Sequence, residues 1–277
     1  MKSVIIQTHK ELNEIMFPVK KVRAADLFGK YSFPHNKDWA ITDGESNVLN
    51  ICSEKYKLIK NEDLILPIFN KMQEVFGEGK VKTIVKSYGG SRFFVDLIPQ
   101  GKVYKVRGED TIKPMISVKN SYDGGVAQSI ALSFHRQICL NGMMGFSSEF
   151  REKKKHTSFL GKVDVDKIVR LLEGVEDKIE RFKKMTDRRL TRKELDELLK
   201  KIEESEEVNY PKREMKKVVP TIMSEASMMN LKEIDLWLVY NGLNNAVYHS
   251  DSKMQPHKRA EIDTRVINFL TKGFKLN

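Results

Sequence analysis

Between Asn61 and Phe76 the apolar residues Leu64, Ile65, Ile68, Phe69, Met72, Val75 and Phe76 recur every three or four positions. That spacing predicts a helix with one buried face. Pro67 either marks its start or kinks it, because proline lacks the amide hydrogen that a helix interior needs. Gly77 and Gly79 close it. The period then shortens. Lys80 to Tyr88 alternates in part between polar and apolar residues, Gly89-Gly90 supplies a tight turn, and Ser91 to Ile98 returns as a strand. A second hairpin is predicted from Met115–Lys119, through Tyr122-Asp123-Gly124-Gly125, to Val126–Phe134. Its Asp-Gly step provides the positive φ of a two-residue turn, and Val126, Ile130, Leu132 and Phe134 mark one buried face. Between the hairpins, Lys102 to Arg107 reads as a further short strand.

Beyond Phe159 the pattern turns helical. Val165, Ile168, Leu172, Val175, Ile179 and Phe182 fall at alternating spacings of three and four, a stripe suited to packing against another helix. Thr191-Arg192-Lys193-Glu194 forms a capping box that opens a helix through Leu195 to Ile202. The acidic stretch Glu203 to Glu207 and then Tyr210-Pro211 end it. Asn230-Leu231-Lys232-Glu233 is expected to open another, through Trp237 to Ala246, and a last amphipathic stretch runs from about Lys258 to Leu270. The first fifty residues carry breakers instead, at Phe17-Pro18, Phe33-Pro34-His35-Asn36-Lys37 and Thr42-Asp43-Gly44. They read as an irregular arm with short elements, of the kind that packs over a partner or a neighbouring subunit.

These periods predict an α+β chain: an antiparallel β-hairpin core with a flanking helix, followed by a helical C-terminal half. The expected organisation is an N-terminal arm at 1–50, an α+β core domain at 51–160 and a helical domain at 161–277.

The chain has 277 residues, 40% of them hydrophobic and 31% charged, which is globular composition. The start, Met1-Lys2-Ser3-Val4-Ile5-Ile6-Gln7, is too short an apolar stretch for a signal peptide, and no run approaches eighteen apolar residues. A cytoplasmic protein with no membrane partner is expected. Cys52 and Cys139 then read as free buried thiols, since a reducing compartment keeps such residues apart. His135 and Cys139 share helical spacing, but two ligands do not make a zinc site. The net charge of +11 favours a polyanionic partner.

Four stretches resemble a known family. Cys52 to Asn61, Gly89 to Val95, the block Asn120 to Gly125 with Arg136 to Gly142 and His156-Thr157, and Trp237 to Val247 look like the successive motifs of the phage/plasmid-like proteins grouped as domain of unknown function 932. The resemblance runs over roughly residues 35 to 270. It implies a protein of phages, plasmids or integrated elements, working among replication and recombination functions, and it carries no catalytic residue set. The order helix, hairpin, strands, helix is also similar to single-strand annealing proteins, a likeness of fold alone.

The strongest constellation is of cations interleaved with aromatic rings on the β block: Lys80, Lys82, Lys86, Tyr88, Arg92 and Phe93, then Lys102, Tyr104, Lys105 and Arg107. Single-strand binders need cations for phosphates and flat rings for bases, and one sheet face supplies both. Strand alternation puts Lys80, Lys82, Lys86 and Tyr88 on one face, with Ile84 the apolar exception. Arg151, Lys153, Lys154 and Lys155 form a compact positive loop suited to phosphate contact. Arg188, Arg189, Arg192 and Lys193 make a weaker cluster among acids. Arg136 is expected either to pair a carboxylate such as Asp123 or to face a phosphate. No phosphate loop, zinc-protease or nucleophile-elbow motif occurs, and Asp96, Asp110 and Asp123 lack metal-ligand spacing. The expectation is a non-catalytic, cofactor-free nucleic-acid binder, preferring single-stranded DNA, in replication or recombination. Self-association fits it, because annealing proteins hold a strand across several subunits. The rival is a protein that engages a host or defence protein through its helical half.

Overall fold

Period-two stretches become antiparallel strands and period-three-to-four stretches become helices, as an α+β fold requires. The computed structural model describes residues 2–6, 12, 16–29, 37–136, 142–144, 151–154, 170, 172, 174–249, 254 and 256–275. The chain forms two compact units, each assembled from separated segments. One comprises Met1–Gly101, Met115–Leu132 and Arg151–Leu171; the other comprises Lys102–Pro114, Ser133–Phe150 and Leu172–Asn277.

The first unit holds β1 (Lys2–Ile6), β2 (Val19–Arg23), α1 (Ala24–Phe28), β3 (Trp39–Asp43), β4 (Val48–Cys52), α2 (Asn61–Phe76), β5 (Val81–Tyr88) and β6 (Arg92–Pro99). β7 (Tyr104–Arg107) belongs to the second unit, while β8 (Asp110–Ser121) and β9 (Gln128–Arg136) contribute residues to both. β10 (Gly142–Met144) returns to the second unit and β11 (Arg151–Lys154) to the first. In the first unit the strand order is β1-β5-β6-β8-β9, with β11 also on β9. Tyr88 pairs with Arg92 across the β5–β6 turn, and Val81 pairs with Pro99 at the far end. Gly89 and Gly90 take φ of 56° and 66° there, a region open mainly to glycine.

Helix α2 lies on β5 and β6 and buries Leu64, Ile65, Ile68, Phe69 and Met72. It runs unbroken through Pro67, which is exposed and cannot donate to the carbonyl of residue 63. Its start is pinned to the end of β8. The Asn61 amide donates to the Tyr122 hydroxyl at 3.0 Å, and the Asn120 side chain donates to Ile59 O and Asn61 Oδ1, each at 2.9 Å. Tyr56 donates to the Ser121 carbonyl at 2.9 Å. Burial pushes both the Tyr56 and Tyr122 phenols far above the ordinary range.

Two local expectations change. The second hairpin turn spans 122–127 rather than two residues, because the Ser121 hydroxyl bonds both the amide and the carbonyl of Val126, and Asp123 accepts from the Gly125 amide. The N-terminal region holds more sheet than an arm: β2, β3 and β4 form an antiparallel three-stranded sheet. Asp43-Gly44, a breaker in the sequence, is its β3–β4 turn. There the Asp43 carboxylate accepts from the Asn47 side-chain amide and from the backbone amides of Asn47 and Glu45, which hold it below its ordinary pKa.

The second unit is mainly helical: α3 (Val175–Asp187), β12 (Arg189–Leu190), α4 (Arg192–Glu204), α5 (Lys212–Met228), β13 (Ile234–Asp235), α6 (Leu236–Tyr248) and α7 (Pro256–Gly273). The Val165 and Ile168 portion of the predicted stripe lies outside the described residues. Thr191 caps α4 with the expected reciprocal bonds to Glu194. α6 begins at Asp235, whose carboxylate accepts from the Leu238 amide at 2.9 Å; Asn230 instead takes φ of 52° just beyond α5. α5 was not visible in the sequence. α6 is buried on nearly every side and contacts α3, α5 and α7. Gly242 lets α5 approach, since a Cβ there would stand 2.5 Å from Ile222.

At the centre of this unit sits Arg136, with no solvent exposure. It donates from Nε and Nη2 to Asp110 at 2.8 and 2.7 Å and from Nη1 to Glu225 at 2.6 Å. Trp237 Nε1 donates to the same Asp110 carboxylate at 2.7 Å. Burial alone would lower the Arg136 pKa, but the Asp110 hydrogen bonds and the charges of Asp110 and Glu225 drive it upward. Arg136 is therefore neither a phosphate contact nor the partner of Asp123. It bridges two buried carboxylates.

Arg136→Met is expected to cost about 3–5 kcal/mol, because it removes the guanidinium to which both buried carboxylates bond; urea unfolding measures this. Adding Asp110→Leu and Glu225→Met should restore most of the loss. Thr191→Ala removes the cap and should cost about 1 kcal/mol in the same assay.

Candidate nucleic-acid interface

Strand alternation along β5 sorts its side chains cleanly. Val81, Thr83 and Val85 are buried, whereas Lys82, Ile84, Lys86 and Tyr88 are half-buried on the opposite side. Lys80, just ahead of the strand, is exposed. Same-side positions on a strand stand about 6.6 Å apart, so Lys82, Lys86 and Tyr88 make a spaced row. None of Lys80, Lys82 and Lys86 has an ion-pair partner among the described residues.

The row is narrow. Register places Ile98, Asp96 and Phe94 of β6 beside Lys82, Ile84 and Lys86, and Ser117 and Lys119 of β8 beyond them. Ile98, Phe94, Ser117 and Lys119 are all buried. The broad basic–aromatic face that the sequence suggests is open along β5 and closed over β6 and β8. Tyr88 stands edge-on to Phe94, with ring centroids 5.5 Å apart, so part of its surface is already used. Phe93 points to the other side of the sheet, against Tyr122 and Phe17.

Arg92 is committed inside the protein. Its Nε donates to Asp123 at 2.6 Å, and the Ser91 hydroxyl reaches the same carboxylate oxygen at 3.3 Å. Gly125 lies flat against the guanidinium, where a Cβ would sit 2.5–2.6 Å from three of its atoms. Arg92 thus orders the 122–127 loop. The same interactions join two motif segments, 89–95 and 120–125, while Tyr56 and Asn61 bring in the third, 52–61.

Lys102, Tyr104, Lys105 and Arg107 belong to the second unit, and the Lys80–Arg92 group belongs to the first. Lys102 and Lys105 are exposed; Tyr104 is half-buried, and burial with the Glu176 charge raises its phenol. Arg107 donates to Asp235, the carboxylate that caps α6, so this cation secures a helix start. Burial holds the Asp235 carboxyl above its usual range even with Arg107 beside it. The turn after β7 and the end of α5 also frame a pocket of about 490 Å³, lined by Arg107, Asp110, Met228, Met229 and Leu231 among others.

Arg151, Lys153 and Lys154 form most of β11, a strand rather than a loop, whose residues pair with Ala131, Ser129 and Gln128. Lys155, His156, Cys139 and Asn141 lie outside the described residues. Cys52 is a free buried thiol. The three carboxylates weighed as metal ligands are engaged separately: Asp96 by Ser117, Asp123 by Arg92, and Asp110 by Arg136 and Trp237. Among the described residues no group of acids, histidines or cysteines is placed to hold a metal, and no helix is long and apolar enough to cross a membrane.

One aromatic site escaped the sequence reading. On the small sheet, Trp39 of β3 carries Arg23 over its ring at 4.3 Å and Lys21 at 5.0 Å. Its signal was the alternation of Lys21 and Arg23, hidden in a region dominated by breakers.

No curated protein matches the chain, and no solved structure does. One family model matches residues 48–267, a span that contains the Arg92–Asp123 lock, the Arg136 cluster and the capped start of α6. By that match the chain belongs to the family described as Domain of unknown function (DUF932).

Proposed function

We propose that this protein is a non-catalytic binder of single-stranded nucleic acid, preferentially DNA, serving replication or recombination of a phage or plasmid element in the cytoplasm. The observation that carries the reading is how the cations are sorted. Arg92, Arg107 and Arg136 are each spent on an internal carboxylate, while Lys80, Lys82 and Lys86 line the open side of β5 beside Tyr88. Lysine suits this division. Its compact ammonium grips a mobile phosphate as a point charge, whereas the planar fork of arginine rewards fixed, two-pronged pairing. Phosphate contacts of this kind are blind to sequence, and an adjacent ring adds stacking that any base can use. The Arg151–Lys155 run supplies a second stretch of backbone contact. Assembly of several copies would let one strand pass over successive β5 rows.

A second reading has its own support. Met223 and Met228 of α5 are 50% and 64% exposed, and methionine adapts readily to a protein partner. That arrangement fits binding of a host protein through the second unit.

Lys82→Ala with Lys86→Ala should weaken binding of a labelled single strand by on the order of tenfold, equally for unrelated sequences. The slope of log affinity against log salt should fall by about 1.4, following the loss of two phosphate contacts. Reversing Lys153, Lys154 and Lys155 to Glu should act in the same direction. Fluorescence anisotropy between about 50 and 200 mM salt reads all of these. Unchanged affinity and slope in both variants would remove the β5 row and the 151–155 run from the interface, and absence of binding by the wild-type chain would remove nucleic acid from the assignment and favour the protein-partner reading.

A further inference from the structure

Arg23 and Trp39 face one another across β2 and β3, and Cys52 of β4 completes the row. Trp39 is half-buried, while Arg23 is exposed with its guanidinium carbon 4.3 Å from the ring centroid. A guanidinium over an indole is attracted by the ring's electron density, and exposed Arg23 keeps surface open to solvent beside the ring. Lys21 is fixed differently. Its ammonium donates to the carbonyls of Glu54 and Tyr56, each at 2.8 Å, and so steadies the turn that carries Lys55 and Lys57. Lys37, Lys55 and Lys57 are exposed, and neither they nor Arg23 has an ion pair among the described residues. The segments 21–23, 37–39 and 52–57 together hold five cations and two carboxylates, Asp38 and Glu54. Lys21 and Lys37 both act on the Cys52 thiol, opposing the rise that burial causes, which sets their charges around the same row.

We infer that this corner of the small sheet is a base-stacking site for single-stranded nucleic acid, with one base layered on the Arg23–Trp39 pair and adjoining phosphates held by Lys37, Lys55 and Lys57. Nucleobases stack on guanidinium planes as well as on aromatic rings, so the pair presents a ready surface to any base. Exposed cations set around it supply the charge that a phosphate chain complements. The corner and the β5 row belong to the same unit. The inference rests on the nucleic-acid reading proposed above and adds to it a place where a base, rather than the backbone alone, is engaged.

The chain carries its own reporter. It has two tryptophans, and Trp237 is fully buried, so quenching by an added strand must come mainly from Trp39. The full-length protein would be titrated with labelled oligothymidylate of about 15 nucleotides, following label anisotropy and tryptophan emission together. The expected result is quenching that saturates with the anisotropy change and disappears in Trp39→Phe. Trp39→Ala and Arg23→Ala should each weaken binding by on the order of tenfold, while Trp39→Phe keeps most of the affinity. Binding without quenching, at an affinity that Arg23→Ala leaves unchanged, would overturn the stacking site and leave the β5 reading standing. Absence of binding by the wild-type chain would overturn both. Should Trp39→Ala unfold, the wild-type quenching and the Arg23→Ala affinity still decide the matter.

Discussion

A guanidinium that water never reaches sets the terms for the second unit. Burying three charged groups costs several kcal/mol for each, and the cost is offset only where every polar atom finds a partner at good geometry. Arg136 meets that demand with three nitrogens on Asp110 and Glu225, and Trp237 bonds to Asp110 as well. One residue from the start of β8, the last residue of β9 and one near the end of α5 are thereby held at fixed positions. Trp237, placed by its bond to Asp110, packs at 4.9 Å on Phe182, which meets Phe134 at 5.3 Å. The charged cluster and the aromatic core are one arrangement.

The first unit meets a related demand with neutral groups. A helix start leaves amides without partners, and at α2 the Tyr122 hydroxyl accepts from the Asn61 amide while the Asn120 side chain donates to the Ile59 carbonyl and to Asn61 Oδ1. No ionisation enters that joint, so it keeps its geometry across the range in which carboxylates and histidines titrate. The half-buried Arg92–Asp123 pair closes the 122–127 loop of this unit. β5 takes its character from Lys82 and Lys86, half-buried beside Tyr88 on the side opposite Val81, Thr83 and Val85.

How much of this was legible depended on distance along the chain. α2, α4, α7 and the β5–β6 hairpin were readable because period, cap and turn lie within one stretch. α5 was not: its buried face includes Glu214 and Glu225, so carboxylates interrupt the apolar spacing, and the cation that excuses Glu225 lies 89 residues away. The opening of α6 was misplaced because Asn230 and Asp235 are both good capping residues, and only the fold chooses between them. The shared face of Lys82, Lys86 and Tyr88 follows from alternation and was foreseen. The fates of Arg92, Arg107 and Arg136 hang on partners 31, 128 and 26 residues distant, which no local pattern reveals.

The interleaving of chain segments has a practical side. Each unit takes residues from three separate stretches, and the stretch 102–114 of one falls between two stretches of the other. No single cut in the gene releases either half whole: ending the chain at residue 160 would keep Asp110 and Arg136 while discarding Glu225 and Trp237. Such a fragment would expose the partners of a missing helix, so losses of function on truncation report broken folding before they report a missing activity.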